Sequence, residues 1–262
     1  MHAEERERLI IEAMGPTGFV SYRALESRLA ASPATIRRDL SRLEEEGVIH
    51  RVRGGARLTE SHGGKPDGAA RLAGTPFAQS ITENLAQKRS IGRAAAQLCQ
   101  HGEGIMIDGG TTTLQMCPHI DGLDLSVLTN SLHIANALLP QVGTQILLPS
   151  GTLFREQNII LAPAGEESMP RFHAPKLFMG AAAVGPQGVM QQDVILVAAE
   201  RRLIDRAEQV MLLVDSSKFT SSSGAIVCGL NEVDVVVTDA GVEPRAVAML
   251  ENAGVEVVIV DA

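Results

Sequence analysis

Between Ser32 and Leu58 the chain reads SPATIRRDLSRLEEEGVIHRVRGGARL, an order of signals that few folds accommodate. Ser32 is suited to accept a hydrogen bond from a backbone NH two or three residues on, and Pro33 to take the first helical position, where its missing NH costs nothing. A helix therefore starts there. Ile36, Leu40 and Leu43 recur at i, i+4 and i+7 and mark one buried stripe, which directs Thr35, Arg37, Arg38 and Arg42 elsewhere. Glu44 to Glu46 crowd the last turn, where the helix dipole disfavours anions, and Gly47 offers a left-handed stop. Val48, Ile49 and Val52 then read as a strand, Gly54 and Gly55 as a turn, and Ala56 to Leu58 as the return strand.

That hairpin carries Arg51, Arg53 and Arg57 without a carboxylate, which suits a phosphate backbone or a minor groove better than a protein core. Upstream, Glu5 to Met14 places Leu9, Ile10 and Ala13 on one side. Ser21 to Ala30 does the same with Leu25 and Leu29, and a tight Ala30 to Ser32 connection leads into the basic helix. Three helices and a basic wing in this order make a winged helix-turn-helix unit. An isolated arginine pair is more often an ordinary solvated helix face, but here the three features coincide and favour double-stranded DNA as the partner. The candidate DNA-binding residues are Ser32, Thr35, Arg37, Arg38, Arg42, Arg51, Arg53 and Arg57.

Charge is unevenly divided. Residues 1–58 hold 10 Lys and Arg against 9 Asp and Glu, whereas the remainder holds 13 against 22. An acidic body repels DNA and confines contact to the basic elements, so binding is expected to be local and salt-sensitive. Cys99, Cys117 and Cys228 form no CxxC pair, and the seven histidines are scattered without metal-ligand spacing. Neither a disulfide framework nor a metal site is expected, nor any cofactor. The segment MHAEERERLI lacks an apolar signal core, and no run approaches the roughly 18 apolar residues that a membrane span needs. The expected location is the cytoplasm, with no membrane partner.

With 262 residues there is room for a DNA-binding domain over 1–58, a linker over 59–76 and a larger domain over 77–262. The stretch TESHGGKPDGAARLAGTP shows no hydrophobic periodicity. Beyond it, apolar segments at 104–107, 125–129, 145–149, 176–179, 210–214, 233–238 and 255–260 alternate with Ala- and Leu-rich helical stretches. That alternation predicts a Rossmann-like parallel α/β sheet.

In such sheets ligands collect beyond the carboxyl ends of the strands. After the first strand comes Asp108-Gly109-Gly110-Thr111-Thr112-Thr113. Its glycines let the backbone approach a ligand, and its hydroxyls and free NH groups open the next helix as a phosphate cradle. One threonine would suffice as a helix cap; three exceed that need. Thr129-Asn130-Ser131 repeats the arrangement after the second strand and Ser150-Gly151 after the third, although each alone is standard turn or cap chemistry. Lys218, in Asp215-Ser216-Ser217-Lys218, adds a cation able to neutralise phosphate, where a lone lysine is ordinarily just exposed.

T-I-R-R-D-L from Thr35 to Leu40, Leu43-Glu44, Gly47 and R-x-R-G-G-A from Arg51 to Ala56 resemble the DeoR family of bacterial transcription regulators. D-G-G-T-T-T, T-N-S-L, F-M-G at Phe178 to Gly180 and D-S-S-K-F at Asp215 to Phe219 resemble successive motifs of that family's effector domain, so the resemblance covers nearly the whole chain. It implies recognition-helix roles for Thr35, Arg37 and Arg38. It also implies an effector domain related in fold to ribose-5-phosphate isomerases, which binds a phosphorylated sugar or sugar-like metabolite and so alters operator binding. The matching positions are Asp108, Thr111, Thr112, Thr113, Thr129, Asn130, Gly151, Gly180 and Lys218, and Glu200 stands at a position often acidic in the family. Gly109, Gly110 and Arg155 complete the candidate effector-binding set.

The chain departs from the family pattern at Arg53, where histidine is usual and the wing stays cationic, and at Ser150-Gly151, where paired glycines are common. Ligand-specific residues are expected in Arg155 to Pro163 and at Gln191-Gln192-Asp193. Arg155 has a planar fork suited to a carboxylate or a phosphate oxygen, with an exposed surface arginine as the ordinary alternative. The region bears a slight resemblance to the ascorbate-regulon branch, which implies a sugar-acid phosphate.

The expected function is a repressor of a carbohydrate-catabolism operon, controlled by a phosphorylated sugar or sugar acid and acting as a homo-oligomer, a dimer or tetramer, on two-fold operators. One alternative is a sugar-phosphate isomerase-like enzyme carrying a DNA-binding arm. Against it, the chain lacks the acidic DGADE-type cluster of the resembling isomerases, and Asp234 and Asp239 sit in VDVVVTDAG without a convincing general base. Another is an effector-independent DNA-binding protein whose large domain only oligomerises.

Overall fold

The computed structural model describes residues 3–14, 19–29, 31–52, 55–58, 77–161 and 170–261. The expected linker over 59–76 and the wing-turn residues Arg53 and Gly54 lie outside them. The chain divides into two compact units, Met1–Ala70 and Arg71–Ala262.

The first unit contains α1 (Ala3–Met14), β1 (Phe19–Ser21), α2 (Tyr22–Arg28), α3 (Pro33–Glu45), β2 (Ile49–Val52) and β3 (Gly55–Leu58). Helix α3 starts on its cap, with the Thr35 NH donating to Ser32 Oγ at 3.2 Å and Pro33 next in the chain. It ends in a Schellman motif. Gly47 sits at φ 72°, its NH donates to the Glu44 carbonyl at 3.0 Å, and the Val48 NH reaches the Leu43 carbonyl at 2.8 Å. The stripe of Ile36, Leu40 and Leu43 joins Ile10, Leu25, Leu29, Ile49 and Ala56 in one core. Buried beside it is Asp39, whose carboxylate accepts from Arg6 Nε at 2.7 Å and Nη2 at 3.0 Å, a two-pronged tie between α1 and α3.

The wing differs from a plain hairpin. Strand β1 pairs antiparallel with β3, giving the order β1-β3-β2. Three residues are too short a run to display a period of two, so nothing in the local pattern announces β1.

The second unit opens with α4 (Phe77–Ser80), α5 (Leu85–Ala96), β4 (Gly104–Ile107), β5 (Ser126–Leu128), α6 (Leu132–Leu138) and β6 (Gln145–Leu147). The hairpin β7 (Thr152–Phe154) and β8 (Ile159–Leu161) follows, then β9 (Ala174–Met179), β10 (Ala183–Gly185), β11 (Gly188–Gln191) and α7 (Val194–Ile204). The unit closes with β12 (Ala207–Leu213), β13 (Ala225–Cys228), β14 (Val235–Asp239), α8 (Pro244–Asn252) and β15 (Glu256–Val260). Every strand expected from the apolar runs enters one parallel sheet in the order β15-β14-β12-β9-β4-β5-β6.

Successive residues of those strands feed opposite faces. Ile105, Ile107, Phe178, Met211, Leu213, Val235 and Val237 pack with Ile91, Ala95, Met116 and Ile134. Met106, Leu177, Met179, Val210, Leu212 and Val236 pack with Val189, Leu203, Val227 and Leu250. Burial on both faces is why these strands read as unbroken apolar runs.

Two local expectations give way. The loop after β4 leads into a 3-10 helix at Thr113–His119, with Pro118 inside it, because proline supplies no NH to an α-helical ladder. Ser150-Gly151 leads into strand β7 rather than a helix, since Thr152 to Phe154 are strand formers that find partners in Ile159 to Leu161. The antiparallel sheet β10-β11-β13 was likewise not foreseen.

The chain passes from β4 to β5 on one side of the sheet and from β9 to β12 on the other, while β4 and β9 are neighbours. Their boundary is a topological switch point, the place where open α/β sheets leave a crevice for ligands. No described helix is long and apolar enough to cross a membrane.

Candidate functional site

A cleft of about 160 Å³ opens at that switch point, lined by the loop Asp108 to Thr112, Asn130, Gly180, Gln191, Gln192, Glu200 and Lys218. Phe77, Ser80 and Lys88 contribute from α4 and α5.

The loop is built from the backbone outward. The Asp108 NH extends the sheet by donating to the Phe178 carbonyl at 2.9 Å. Asn130 then bridges strand ends: its Nδ2 donates to Asp108 Oδ1 at 2.8 Å, and its Oδ1 accepts from the Gly109 NH at 2.9 Å. Position 109 has no room for a side chain, because a Cβ there would lie 2.6 Å from Ile159 Cγ2 and 3.2 Å from Asn130 Oδ1. Among the described residues no acceptor takes the NH groups of Gly110, Thr111 or Thr112. Successive unclaimed NH groups of this kind form an anion-binding cradle.

Two lysines stand by it. Lys88 is only 3 % exposed, and its Nζ donates to the Ser80 carbonyl at 2.6 Å. Burial lowers its pKa, with Asp215 opposing and the neighbouring Lys218 adding to the effect. Lys218 sits in a 3-10 turn, Ser216–Phe219, that is pinned by two carboxylates. Asp215 accepts from the Ser217 NH at 3.1 Å and from Asn84 Nδ2 at 2.9 Å. Asp239 accepts from the Ser216 NH at 2.7 Å, Ser216 Oγ at 2.9 Å and the Gly241 NH at 3.0 Å.

The cleft also holds two buried carboxyl groups. Burial pushes Asp108 up to about 6, against the hydrogen bonds from Asn130 and the Gly109 NH. Burial likewise raises Glu200 well above the usual carboxylate range, and the nearby Asp108 charge adds to this. Glu200 Oε1 accepts from Gln191 Nε2 at 2.6 Å, whereas its buried Oε2 has no partner among the described residues. No group of three His, Cys, Asp or Glu among the described residues is arranged to hold a metal ion.

Of the effector residues expected from sequence, Asp108, Gly109, Gly110, Thr111, Thr112, Asn130, Gly180, Glu200 and Lys218 come together here. Four do not. Thr113 is fully buried and braces the loop from behind, its hydroxyl donating to the carbonyls of Asp108 at 2.8 Å and Gly110 at 3.0 Å. Thr129 is buried and accepts from the Ser131 NH at 3.2 Å. Gly151 and Arg155 are exposed at the β7–β8 hairpin, outside the lining. From the segments expected to carry ligand specificity, Gln157, Ile159, Gln191 and Gln192 do line the cleft.

Sequence reasoning missed Lys88. A signal was present: Lys88 falls in the same buried stripe of α5 as Ile91, Gly92, Ala95 and Ala96, where a lysine is out of place unless it has a task.

In the first unit, Arg37 and Arg38 are exposed, and neither guanidinium forms an ion pair with a described residue. Arg42 is paired with Glu7 and lies 3.9 Å from Glu46, so its charge is already answered. Arg51 is tied back to the helix, its Nη1 donating to Ser41 Oγ at 2.7 Å and its NH to Glu44 Oε1 at 2.9 Å. The Ser32 and Thr35 hydroxyls are 2.9 Å apart at the start of α3. Arg57 is paired through its backbone with His50 and Phe19, while Arg53 lies outside the described residues.

The family model for the DeoR-like helix-turn-helix domain matches residues 6–62, and the model for the DeoR C terminal sensor domain matches residues 83–240. A protein named as an aga operon transcriptional repressor in Escherichia coli O157:H7 is 31% identical over 98% of this chain and 93% of its own length. The HTH-type transcriptional regulator UlaR of Shigella dysenteriae serotype 1 is 28% identical over 98% of this chain and 99% of its own. Among solved structures, ribose 5-phosphate isomerase A from Methanocaldococcus jannaschii aligns with 52% of this chain and 55% of its own, at 13% identity and a TM-score of 0.37, an overlap too loose to carry any argument. Matched in both of its units and along nearly its full length, the chain belongs to the DeoR family of transcriptional regulators.

Proposed function

We propose that this regulator represses a carbohydrate-catabolism operon and that a phosphorylated sugar or sugar acid, bound in the cleft, sets its affinity for the operator. The observation that carries the effector half is the conjunction of unclaimed NH groups at Gly110 to Thr112 with Lys88 and Lys218 in one cleft. A phosphate group satisfies all of these at once. The DNA half rests on α3, whose uncompensated Arg37 and Arg38 suit base edges in the major groove, and on the basic wing, which suits the phosphate backbone.

Residues 1–58 act as the DNA-binding domain, 59–76 as the linker and 77–262 as the effector and oligomerisation domain of a cytoplasmic homo-oligomer on a two-fold operator. Control follows from differential affinity: an effector that binds one arrangement of the assembly more tightly shifts occupancy on DNA by that difference. The protein is not an enzyme on this reading. Asp239, the carboxylate in the VDVVVTDAG context, is occupied by Ser216 and Gly241, and both full-length relatives are named as transcriptional regulators.

The test is a thermal-shift screen of phosphorylated sugars, polyols and sugar acids, followed by operator titration with each hit. A hit that raises the melting temperature and changes operator affinity is the expected result. Turnover of a sugar phosphate with operator binding unmoved would overturn the proposal.

A further inference from the structure

Glu44, Glu45 and Glu46 stand at the carboxyl end of α3, where the helix dipole opposes anions. Glu46 answers Arg42 at 3.9 Å. Glu44 reaches instead to the wing and meets Arg51 twice: Oε1 accepts the Arg51 NH at 2.9 Å, and Oε2 lies 3.9 Å from its Nε. Arg51 Nη1 donates to Ser41 Oγ at 2.7 Å, and Ser41 Oγ donates in turn to the Arg37 carbonyl at 3.0 Å. Resting on the reading of α3 as the helix that enters the groove, we propose that Ser41 and Glu44 are positioning residues for DNA binding. Without touching DNA they hold the Arg51 guanidinium on the ridge of α3 that carries Arg37, in place for the backbone phosphate next to the bases that Arg37 reads.

Arg37, Ser41 and Glu44 fall at i, i+4 and i+7 and so share one face of α3, next to the buried stripe of Ile36, Leu40 and Leu43. In the sheet order β1-β3-β2 the strand that bears Arg51 is outermost, so an NH turned away from β3 has no strand partner. Glu44 takes the one at Arg51 and thereby fixes the wing strand against the helix. Ser41 then fixes the side chain. An arginine that is free in the unbound protein loses rotamer freedom when it meets a phosphate, whereas one already held loses less. The guanidinium has five N–H donors and Ser41 takes one, which leaves paired donors for a phosphate. The side chain is 39 % exposed, so those donors can be reached. The Glu44 carboxylate, at 3.9 Å, is too far to hydrogen-bond the guanidinium and partly exposed, so that contact yields to a phosphate at little cost.

The experiment uses the full-length protein and a duplex selected with it from a random pool, titrated by anisotropy across a salt series. Ser41→Ala is expected to weaken binding about fivefold, the worth of one hydrogen bond, and to lower the salt slope in the same direction as Arg51→Ala. In an Arg51→Ala background the same change is expected to have no further effect. Alanine is the better helix former, so Ser41→Ala keeps its melting temperature and the loss is not one of folded protein. Glu44→Gln retains an oxygen for the Arg51 NH and removes a negative charge, so it is expected to bind at least as tightly as the wild type, whereas Glu44→Ala binds more weakly. Unchanged affinity in Ser41→Ala, or a second loss on top of Arg51→Ala, overturns the inference, because the hydroxyl then does nothing or meets DNA itself. Equal losses in Glu44→Gln and Glu44→Ala overturn it too, because the charge and not the tie to the Arg51 NH then carries the effect. If Arg37→Ala and Arg51→Ala both bind the selected duplex as the wild type does, the reading of α3 itself falls and takes the inference with it.

Discussion

Lys88 Nζ and the Ser80 carbonyl oxygen are 2.6 Å apart, and both residues line the cleft. Ser80 closes the short helix α4, whose first residue, Phe77, is buried and stacks on His133 with ring centroids 3.8 Å apart. An anion that takes Lys88 competes with that carbonyl and so touches the segment where the chain enters the second unit.

Replacing Lys88 by Met keeps the aliphatic stem in the stripe of α5 but removes the ammonium. The effector-induced rise in melting temperature is expected to disappear, while stability without effector changes by no more than about 3 kcal/mol, since the lost charge-assisted hydrogen bond to Ser80 is offset by no longer burying an ammonium. A variant that still responds fully to the wild-type effector would remove Lys88 from the site.

On the DNA side the arginines are expected to separate into groups. Arg37→Ala or Arg38→Ala should cost roughly 1 to 3 kcal/mol at the operator where the side chain reads a base bidentately. Arg51→Ala should instead lower the slope of log affinity against log salt by up to about 1, as the loss of one phosphate contact does, because its guanidinium has only Glu44 Oε2 at 3.9 Å and no second carboxylate beside it among the described residues. Arg42→Ala should do neither, because Glu7 and Glu46 already answer its charge. Anisotropy titrations across a salt series distinguish the three, and a loss at Arg42 equal to that at Arg37 would contradict the assignment.

Gly109→Ala tests the close approach of backbone to β8. The added methyl would meet Ile159 Cγ2 at 2.6 Å and crowd the Asn130 amide that holds Asp108. Effector affinity is expected to fall by at least about tenfold, or ~1.4 kcal/mol. Operator affinity without effector should be unchanged, and an equal loss of both would mean that the substitution unfolds the unit.

Asp108 gives a pH dependence of definite sign. Its folded pKa of about 6 lies above the ordinary 3.8, so the native state keeps a proton that the unfolded chain releases. Stability from this group therefore falls as pH rises between those values and stays low above about pH 6. Asp108→Asn should melt higher than the wild type at about pH 7.5 and lose that advantage by about pH 4, while weakening effector binding. A melting difference independent of pH would refute the burial argument.

Much of this was legible in the amino-acid order. The cap at Ser32, the stop at Gly47 and the seven apolar runs depend on residues a few places apart, and each appears where the pattern puts it. The β1 strand, the β7–β8 hairpin and the β10-β11-β13 sheet were not legible, because strands of three or four residues display almost no period and take their identity from the partners they meet. The loop Asp108 to Thr112 was recognisable as ligand chemistry, yet Thr113 in the same run faces inward to bind carbonyls, a division that depends on how the loop folds back on itself.

By itself, then, the sequence determined the elements, the caps and the kinds of chemistry at the strand ends, since dihedral preference and hydrophobic period act over one or two turns of chain. Only the tertiary structure decided which of those ends share a cleft. Placing β4 beside β9 brings Asp108 to Gly180, the Asn84 amide holds Asp215 from 131 positions away, and the burial of α5 and α7 carries Lys88 and Glu200 into the same cleft. Such pairings follow from packing two faces of one sheet, an energy that belongs to the whole domain and to no local stretch of it.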